Sequence, residues 1–219
     1  MVRCASQKGA SMDRIGVIGL GRMGSAIAAR FAALGLPVIG WTRSGRSVPD
    51  VPAAPDLDHL IARADTLVLS LFDDAAVAGM LAALLARDLG GRLIVETSTI
   101  APATLTGFAD RVARAGAALV DAPISGGPEM VAAGSCGVFI GGDLAAAARA
   151  EAVLAHLSGR IFHVGPLGAG LVMKSINNAM MQSYFAALAE QMAVAARAGV
   201  PLETALTILS GGPAGAPVL

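Results

Sequence analysis

Lysine is almost missing from this chain of 219 residues: of sixteen basic side chains only Lys8 and Lys174 are lysines, and the rest are arginine. The acidic residues also number sixteen, so the formal net charge is zero. That balance leaves no basic surplus for a nucleic-acid backbone and no polybasic run for an anionic membrane. Aromatic residues make up 4%, too few to interleave a basic stripe. Cysteine is limited to Cys4 and Cys136, which have no metal-ligand spacing, form no disulfide framework and are read as free thiols. Long hydrophobic runs are absent as well. Mean hydropathy is +0.67, yet charge, glycine or proline interrupts every apolar run short of the ~18 residues a membrane span needs. A soluble protein of the cytoplasm is expected. Residues 1–12, without the apolar centre of a secretory signal, read as a disordered extension or as a misplaced start before Met12.

What is present is a core. Hydrophobic residues are 55% of the chain, charged ones 15%, and glycines number 27, the composition of a compact α/β protein. Short aliphatic runs at 15–19, 37–42, 66–71, 92–96, 117–121, 136–141 and 160–164 alternate with Ala-rich helical segments at 22–34, 74–87, 101–115 and 143–157. This alternation predicts a doubly wound, mostly parallel sheet of Rossmann type, with Asp73 and Thr99 as helix N-caps. The proline-studded stretch 45–58 reads as loop. After 165 the pattern changes to one long helix over 171–198, ended by "GVP" at 199–201, and then a further helix. The expected organisation is therefore a dinucleotide-binding domain over 13–165 and, over 166–219, an interdomain helix with the truncated start of an all-α domain. The long helix is apolar nearly all round, so cover is expected either from later helices of a longer protein or from a second copy, with a homodimer through this helix as the favoured expectation.

Gly19, Gly21 and Gly24 stand in G-x-G-x-x-G spacing between a strand and a helix. The first glycine makes a tight turn, the second admits a pyrophosphate to the backbone, and the third lets helix and strand pack closely. At the end of the second strand, where an acidic side chain would hold a ribose 2′-hydroxyl, the chain has Arg43, Ser44 and Arg46. Those side chains suit a 2′-phosphate, so NADP(H) is expected over NAD(H). "DAPISGGPEM" places Ser125, Gly126 and Gly127 after the fifth strand, as a cradle for a carboxylate or as a tight connection needing glycine. Lys174 and Asn178, four apart, share one helical face. A lysine desolvated in a cleft exchanges a proton where an arginine does not, the alternative being a lysine that snorkels past apolar neighbours.

"GVIGLGRMGSAIA", "ETSTIAP", "DAPISGG" and "GAGLVMKSINN" occur in the order and approximate spacing of the β-hydroxyacid dehydrogenase family, within the 6-phosphogluconate dehydrogenase superfamily. Between residues 14 and about 210 the chain resembles its 3-hydroxyisobutyrate dehydrogenases and glyoxylate or succinic semialdehyde reductases. The resemblance implies an NAD(P)-dependent oxidoreductase moving hydride between the nicotinamide and a small β-hydroxy acid, semialdehyde or α-keto acid. It implies that Gly19, Leu20, Gly21, Arg22 and Met23, with Gly24 behind them, wrap the pyrophosphate. Arg43 and Ser44 would take the adenosine end, Leu71 and Thr99 the nicotinamide side, and Ser125, Gly126 and Gly127 the substrate carboxylate. Lys174 matches the family's catalytic lysine, and Asn178 its partner in orienting substrate.

The chain departs from the family at Pro128, Glu129 and Met130, where relatives usually carry a glycine-alanine pair, and a second lysine near the cofactor is missing. A catalytically silent nucleotide-binding module is the alternative from another class. An imine reductase is a lower one, and a 6-phosphogluconate dehydrogenase ranks below that. His59, His156 and His163 have no metal spacing and no serine elbow beside them. Asp73, Asp74, Asp121 and Glu129 form no evident acid pair, and Asp121 reads as a residue that closes a strand and fixes the loop behind it. No metal is expected.

Overall fold

A computed structural model describes residues 13–215. The expected extension at 1–12 and the thiol of Cys4 lie outside those residues. The strands are β1 (Ile15–Ile18), β2 (Val38–Trp41), β3 (Thr66–Leu69), β4 (Leu93–Glu96), β5 (Ala118–Asp121), β6 (Ile124–Ser125), β7 (Gly137–Gly141) and β8 (Arg160–Gly165). The helices are α1 (Arg22–Ala33), α2 (Leu57–Arg63), α3 (Asp74–Leu85), α4 (Pro102–Thr106), α5 (Ala109–Arg114), α6 (Pro128–Ala133), α7 (Leu144–Leu154), α8 (Ala169–Arg197) and α9 (Leu202–Gly211). The sheet runs β2-β1-β3-β4-β5-β7-β6, with β8 paired to β7. Strands β1 to β5 are parallel, and β7 turns antiparallel to β5 and β6.

Alternation along the strands decides which helices can cover them. Val17, Val68, Val95 and Val120 are register partners across β1, β3, β4 and β5, and they pack with Ile27 and Phe31 of α1 and Val153 and Leu154 of α7. Their neighbours Leu67, Leu69, Ile94 and Leu119 face the other way, onto Leu60 and Ile61 of α2 and Leu81 and Leu84 of α3. Continuous apolar strands are what a sheet buried on both faces requires. Since β2 and β3 lie on opposite sides of β1, the order in which strands are added to the sheet reverses between β1 and β3. In open α/β sheets ligands gather in the crevice at the carboxyl ends of such strands.

Aspartates start the covering helices. Asp56, Asp73 and Asp143 cap α2, α3 and α7 by accepting from His59 N at 2.7 Å, Ala76 N at 2.8 Å and Ala146 N at 2.9 Å. Three expectations need correction. Helix α2 begins at Leu57, inside the stretch 45–58 read as loop, because the Asp56 cap follows directly on the prolines. The helix expected over 101–115 is two short helices, α4 and α5. Thr99 caps neither: α4 starts after Ala101 with no side-chain cap, and Asp74 takes the Ala101 N–H at 3.0 Å instead.

Two compact units divide the chain, the first ending at Lys174 and the second beginning at Ser175. Within the second, Met180, Phe185, Leu202 and Ile208 of α8 and α9 are exposed, and the Tyr184 hydroxyl donates to Ala214 O at 3.3 Å. Among the described residues no helix is long and apolar enough to cross a membrane.

Candidate active site

The loop after β1 turns at Gly19, whose φ of +92° belongs to glycine. A Cβ there would strike the Ser70 carbonyl oxygen and lie 2.8 Å from Leu71 Cδ2, so the turn packs directly on the end of β3. At Gly24 a Cβ would land on the Gly19 carbonyl oxygen; its absence is what lets α1 approach the strand. Gly21 differs from both, because a Cβ there meets nothing within 4 Å. Open space therefore lies in front of the N-terminus of α1, a twelve-residue helix with no side-chain cap and no acidic residue in its first turn. Unsatisfied N–H groups and the helix dipole make that end favourable for an anion. The three glycines thus fit a dinucleotide pyrophosphate, two by removing collisions and one by leaving room.

In front of this loop lies a cleft of ≈ 600 Å³, where Gly19, Leu20, Gly21, Arg22 and Met23 face Leu71, Thr99, Gly126 and Lys174. A second hollow of ≈ 540 Å³ shares Gly19, Thr42, Leu71 and Phe72 with it and extends past Arg43 and Ser44 to α3. Leu71 and Thr99, expected on the nicotinamide side, and Arg43 and Ser44, expected at the adenosine end, line these two adjoining hollows, whereas Arg46 lines neither. Phe72, at the junction, is 94% exposed. The wall between β3 and β4 is held by hydroxyls: Thr97 Oγ1 donates to Leu69 O at 2.6 Å, and Ser98 Oγ accepts from Leu71 N at 2.8 Å.

The far wall comes from β6 and the start of α8. Gly126 has φ +130° and faces the cleft, while Ser125 and Gly127 flank it outside the lining. A Cβ on Gly127 would lie 2.8 Å from Glu129 Oε2, so a carboxylate of the chain itself sits over this part of the loop. Asp121, at the end of β5, accepts from Gly168 N at 2.7 Å and Leu171 N at 2.8 Å. It caps α8, and Lys174 follows within the next turn. Lys174 is half-buried, and burial pushes its ammonium below the ordinary lysine value, because a low-dielectric surrounding disfavours the charged form. Asn178, also half-buried, lies one turn further along α8 in the second unit.

Two features escaped the sequence reading. One is the capping role of Asp121. The other is Glu96 beside it, fully buried at the end of β4, with Oε1 accepting from Ser98 N at 2.5 Å. Burial, with a smaller push from Asp121, raises this carboxyl to about 7. A glutamate closing the apolar strand "LIVE" was the available signal.

The model of the NAD binding domain of 6-phosphogluconate dehydrogenase matches residues 14–165. The NAD-binding region of NADP-dependent 3-hydroxyisobutyrate dehydrogenase matches 168–219. The NAD-dependent L-serine dehydrogenase of Pseudomonas aeruginosa is 32% identical over 92% of this chain and 71% of its own length. A structure of Mycobacterium tuberculosis 3-hydroxyisobutyrate dehydrogenase with L-serine superimposes with a TM-score of 0.86 at 26% identity, covering 94% of this chain and 72% of that one. An imine reductase from Pseudomonas sp., with TM-score 0.78 at 24% identity over 90% of this chain and 72% of its own, shares the fold. With a glycine loop at the switch point and these matches along nearly its whole length, the chain belongs to the β-hydroxyacid dehydrogenase family of NAD(P)-dependent dehydrogenases.

Proposed function

We propose that the chain is an NADP(H)-dependent oxidoreductase acting between a small β-hydroxy acid and its semialdehyde, or on an α-keto acid, with Lys174 as general acid and base. The observation that carries this reading is the placement of Lys174 on the same cleft as the glycine loop. In this reading residues 13–165 bind the dinucleotide, and 166–219 supply the interdomain helix and the helical residues that follow it.

Gly19, Leu20, Gly21, Arg22 and Met23 hold the pyrophosphate, Gly24 keeps α1 close behind them, and Arg43 and Ser44 take the 2′-phosphate. Leu71 and Thr99 bound the nicotinamide side. When bound, the nicotinamide supplies or accepts the hydride. Ser125, Gly126 and Gly127 would hold the substrate carboxylate and so orient the carbonyl carbon for the transfer, converting an encounter into an oriented step. Lys174 Nζ donates a proton to the oxygen as it gains charge, and in the oxidation it removes the hydroxyl proton. Burial lowers its proton affinity, so the ammonium gives up a proton more readily than an ordinary lysine, whereas an arginine would stay charged. The orienting role of Asn178 rests on its match to the family's motif.

A proton-transfer role is worth about 10² to 10⁴ in rate. Lys174→Ala should therefore lower kcat by that factor in assays with glyoxylate and succinic semialdehyde while leaving NADPH affinity nearly unchanged; near-normal kcat refutes the role. Cofactor binding by the unaltered chain without any turnover would support the second reading, a silent nucleotide-binding module. The exposed apolar residues of α8 and α9 also fit a second copy of the chain across them. A monomer mass by light scattering at micromolar concentration would refute that dimer.

A further inference from the structure

Glu96 and Asp121 are register partners at the ends of the neighbouring parallel strands β4 and β5. Such partners stand about 4.8 Å apart and point to the same face of the sheet. Both are fully buried. The two carboxyl groups differ in what holds them. Asp121 is met by the amides of Gly168 and Leu171 at the start of α8, while Gly141 of β7 packs against it on the other side. Glu96 has one oxygen on Ser98 N, and its Oε2 lacks a hydrogen-bond partner. Among the described residues no cation forms an ion pair with either carboxyl. Asp121 is the charged group that acts on Glu96, and burial raises Asp121 in turn.

Two ionised carboxylates in one buried space, without a counter-charge, repel one another, and the lone Oε2 would carry its charge undonated. A single proton on Glu96 removes the repulsion and the undonated charge on Oε2, and Asp121 keeps the charge that its backbone amides favour. We propose that Glu96 and Asp121 share one proton and act as a positioning pair for the cleft. Asp121 anchors the first turn of α8, with Lys174 three residues beyond the anchored Leu171, and Glu96 keeps Asp121 in place. The pair also reaches the opposite wall. The residue whose amide holds Glu96, Ser98, takes the Leu71 N–H on its hydroxyl, and both Ser98 and Leu71 line the cleft. Loss of the shared proton therefore disturbs both walls of the cleft together.

This inference rests on the proposed role of Lys174 for its functional meaning, but its test needs no turnover. Because the chain contains only two lysines, the full chain labelled with ¹³C at lysine Cε gives two resonances. The Lys174 signal is identified by its loss in Lys174→Ala. Titrated upward from pH 5, that signal should show, besides the lysine's own protonation step, a separate, smaller inflection near 7 from the carboxyl pair. Glu96→Gln, which keeps the shape and a donor but cannot ionise, should abolish the inflection near 7 and retain the lysine step. A single step in the unaltered chain overturns the proposal even if the glutamine variant does not fold. So does an inflection that survives Glu96→Gln. Normal turnover by Lys174→Ala would remove the lysine's catalytic role without touching the inflection, so the two readings fail separately.

Discussion

Gly170→Ala sets two physical effects against each other. By helix propensity alone the change stabilises, because glycine in a helix costs about 1 kcal/mol relative to alanine. The structure argues for the opposite sign. A Cβ at 170 would land on the Phe139 carbonyl oxygen and 2.8 Å from Asp121 Oδ2, where an ordinary heavy-atom contact is about 3.5 Å. Neither neighbour can swing aside: one is backbone of β7, and the other holds the Gly168 and Leu171 amides. The first turn of α8 must move instead. Overpacking of this kind costs about 1–3 kcal/mol, and stretching one hydrogen bond to a charged group costs about 1.5–3 kcal/mol more. After the propensity gain of about 1 kcal/mol the net loss is about 1.5–5 kcal/mol, or roughly 1 M in the urea midpoint for a chain of this size. Urea unfolding followed by circular dichroism at pH 7 gives the sign directly. If the alanine variant unfolds at higher urea than the unaltered chain, the packing of α8 on the sheet through Asp121 is wrong.

Arg43→Ala should weaken NADPH far more than NADH in a fluorescence titration, because a charge-assisted bidentate contact reaches only the 2′-phosphate; an unchanged preference refutes the assignment. Stability should fall as pH rises from 5 to 8. Glu96 stands at about 7 in the folded chain against an ordinary 4.5, so the folded state binds this proton more tightly than the unfolded chain does. The stabilisation is fully present below 4.5 and lost as pH passes 7, a change on the order of 3 kcal/mol at about 1.36 kcal/mol per pH unit. Asp121 is raised in the same direction. Asp65, lowered chiefly by its hydrogen bond from Arg14, acts only near and below its ordinary 3.8, outside this window. Urea midpoints that stay flat between pH 5 and 8 would refute the buried acid.

Much of the first unit was legible because its elements obey local rules. A fully buried parallel strand needs an unbroken apolar run, and β1, β3, β4 and β5 each show one within a residue or two of the expected bounds. The turn at Gly19 and the collision avoided at Gly24 follow from spacing within a single loop. Elements that depend on one capping residue or on a partner far along the chain were harder. Helix α2 is seven residues long, too short to show a helical period, and its Asp56 cap hides among prolines. Strand β6 is two residues long, and its pairing with β7 defines it more than its own sequence does. Thr99 looks like a cap by type, yet the Ala101 amide is claimed by Asp74, twenty-seven residues earlier, and no local pattern reports such competition.

The same distinction runs through the site. Lys174 stood out because a chain that uses arginine almost everywhere must have a reason to place a lysine in an apolar helix, and exchange of a proton is a reason that arginine cannot satisfy. Its support did not stand out. Glu96 and Asp121 are twenty-five positions apart and become neighbours only when β4 and β5 align in register. Asp121 meets α8 only because Gly170 has no side chain to hold the helix away. Each of these residues, taken singly, reads as strand end, loop or helix start. The physical consequence is that the proposed reacting group can be recognised by what it is, whereas the groups proposed to aim it must be recognised by what they touch. Substitutions at 96, 121 and 170 should therefore alter the behaviour of Lys174 without any of them lining the cleft.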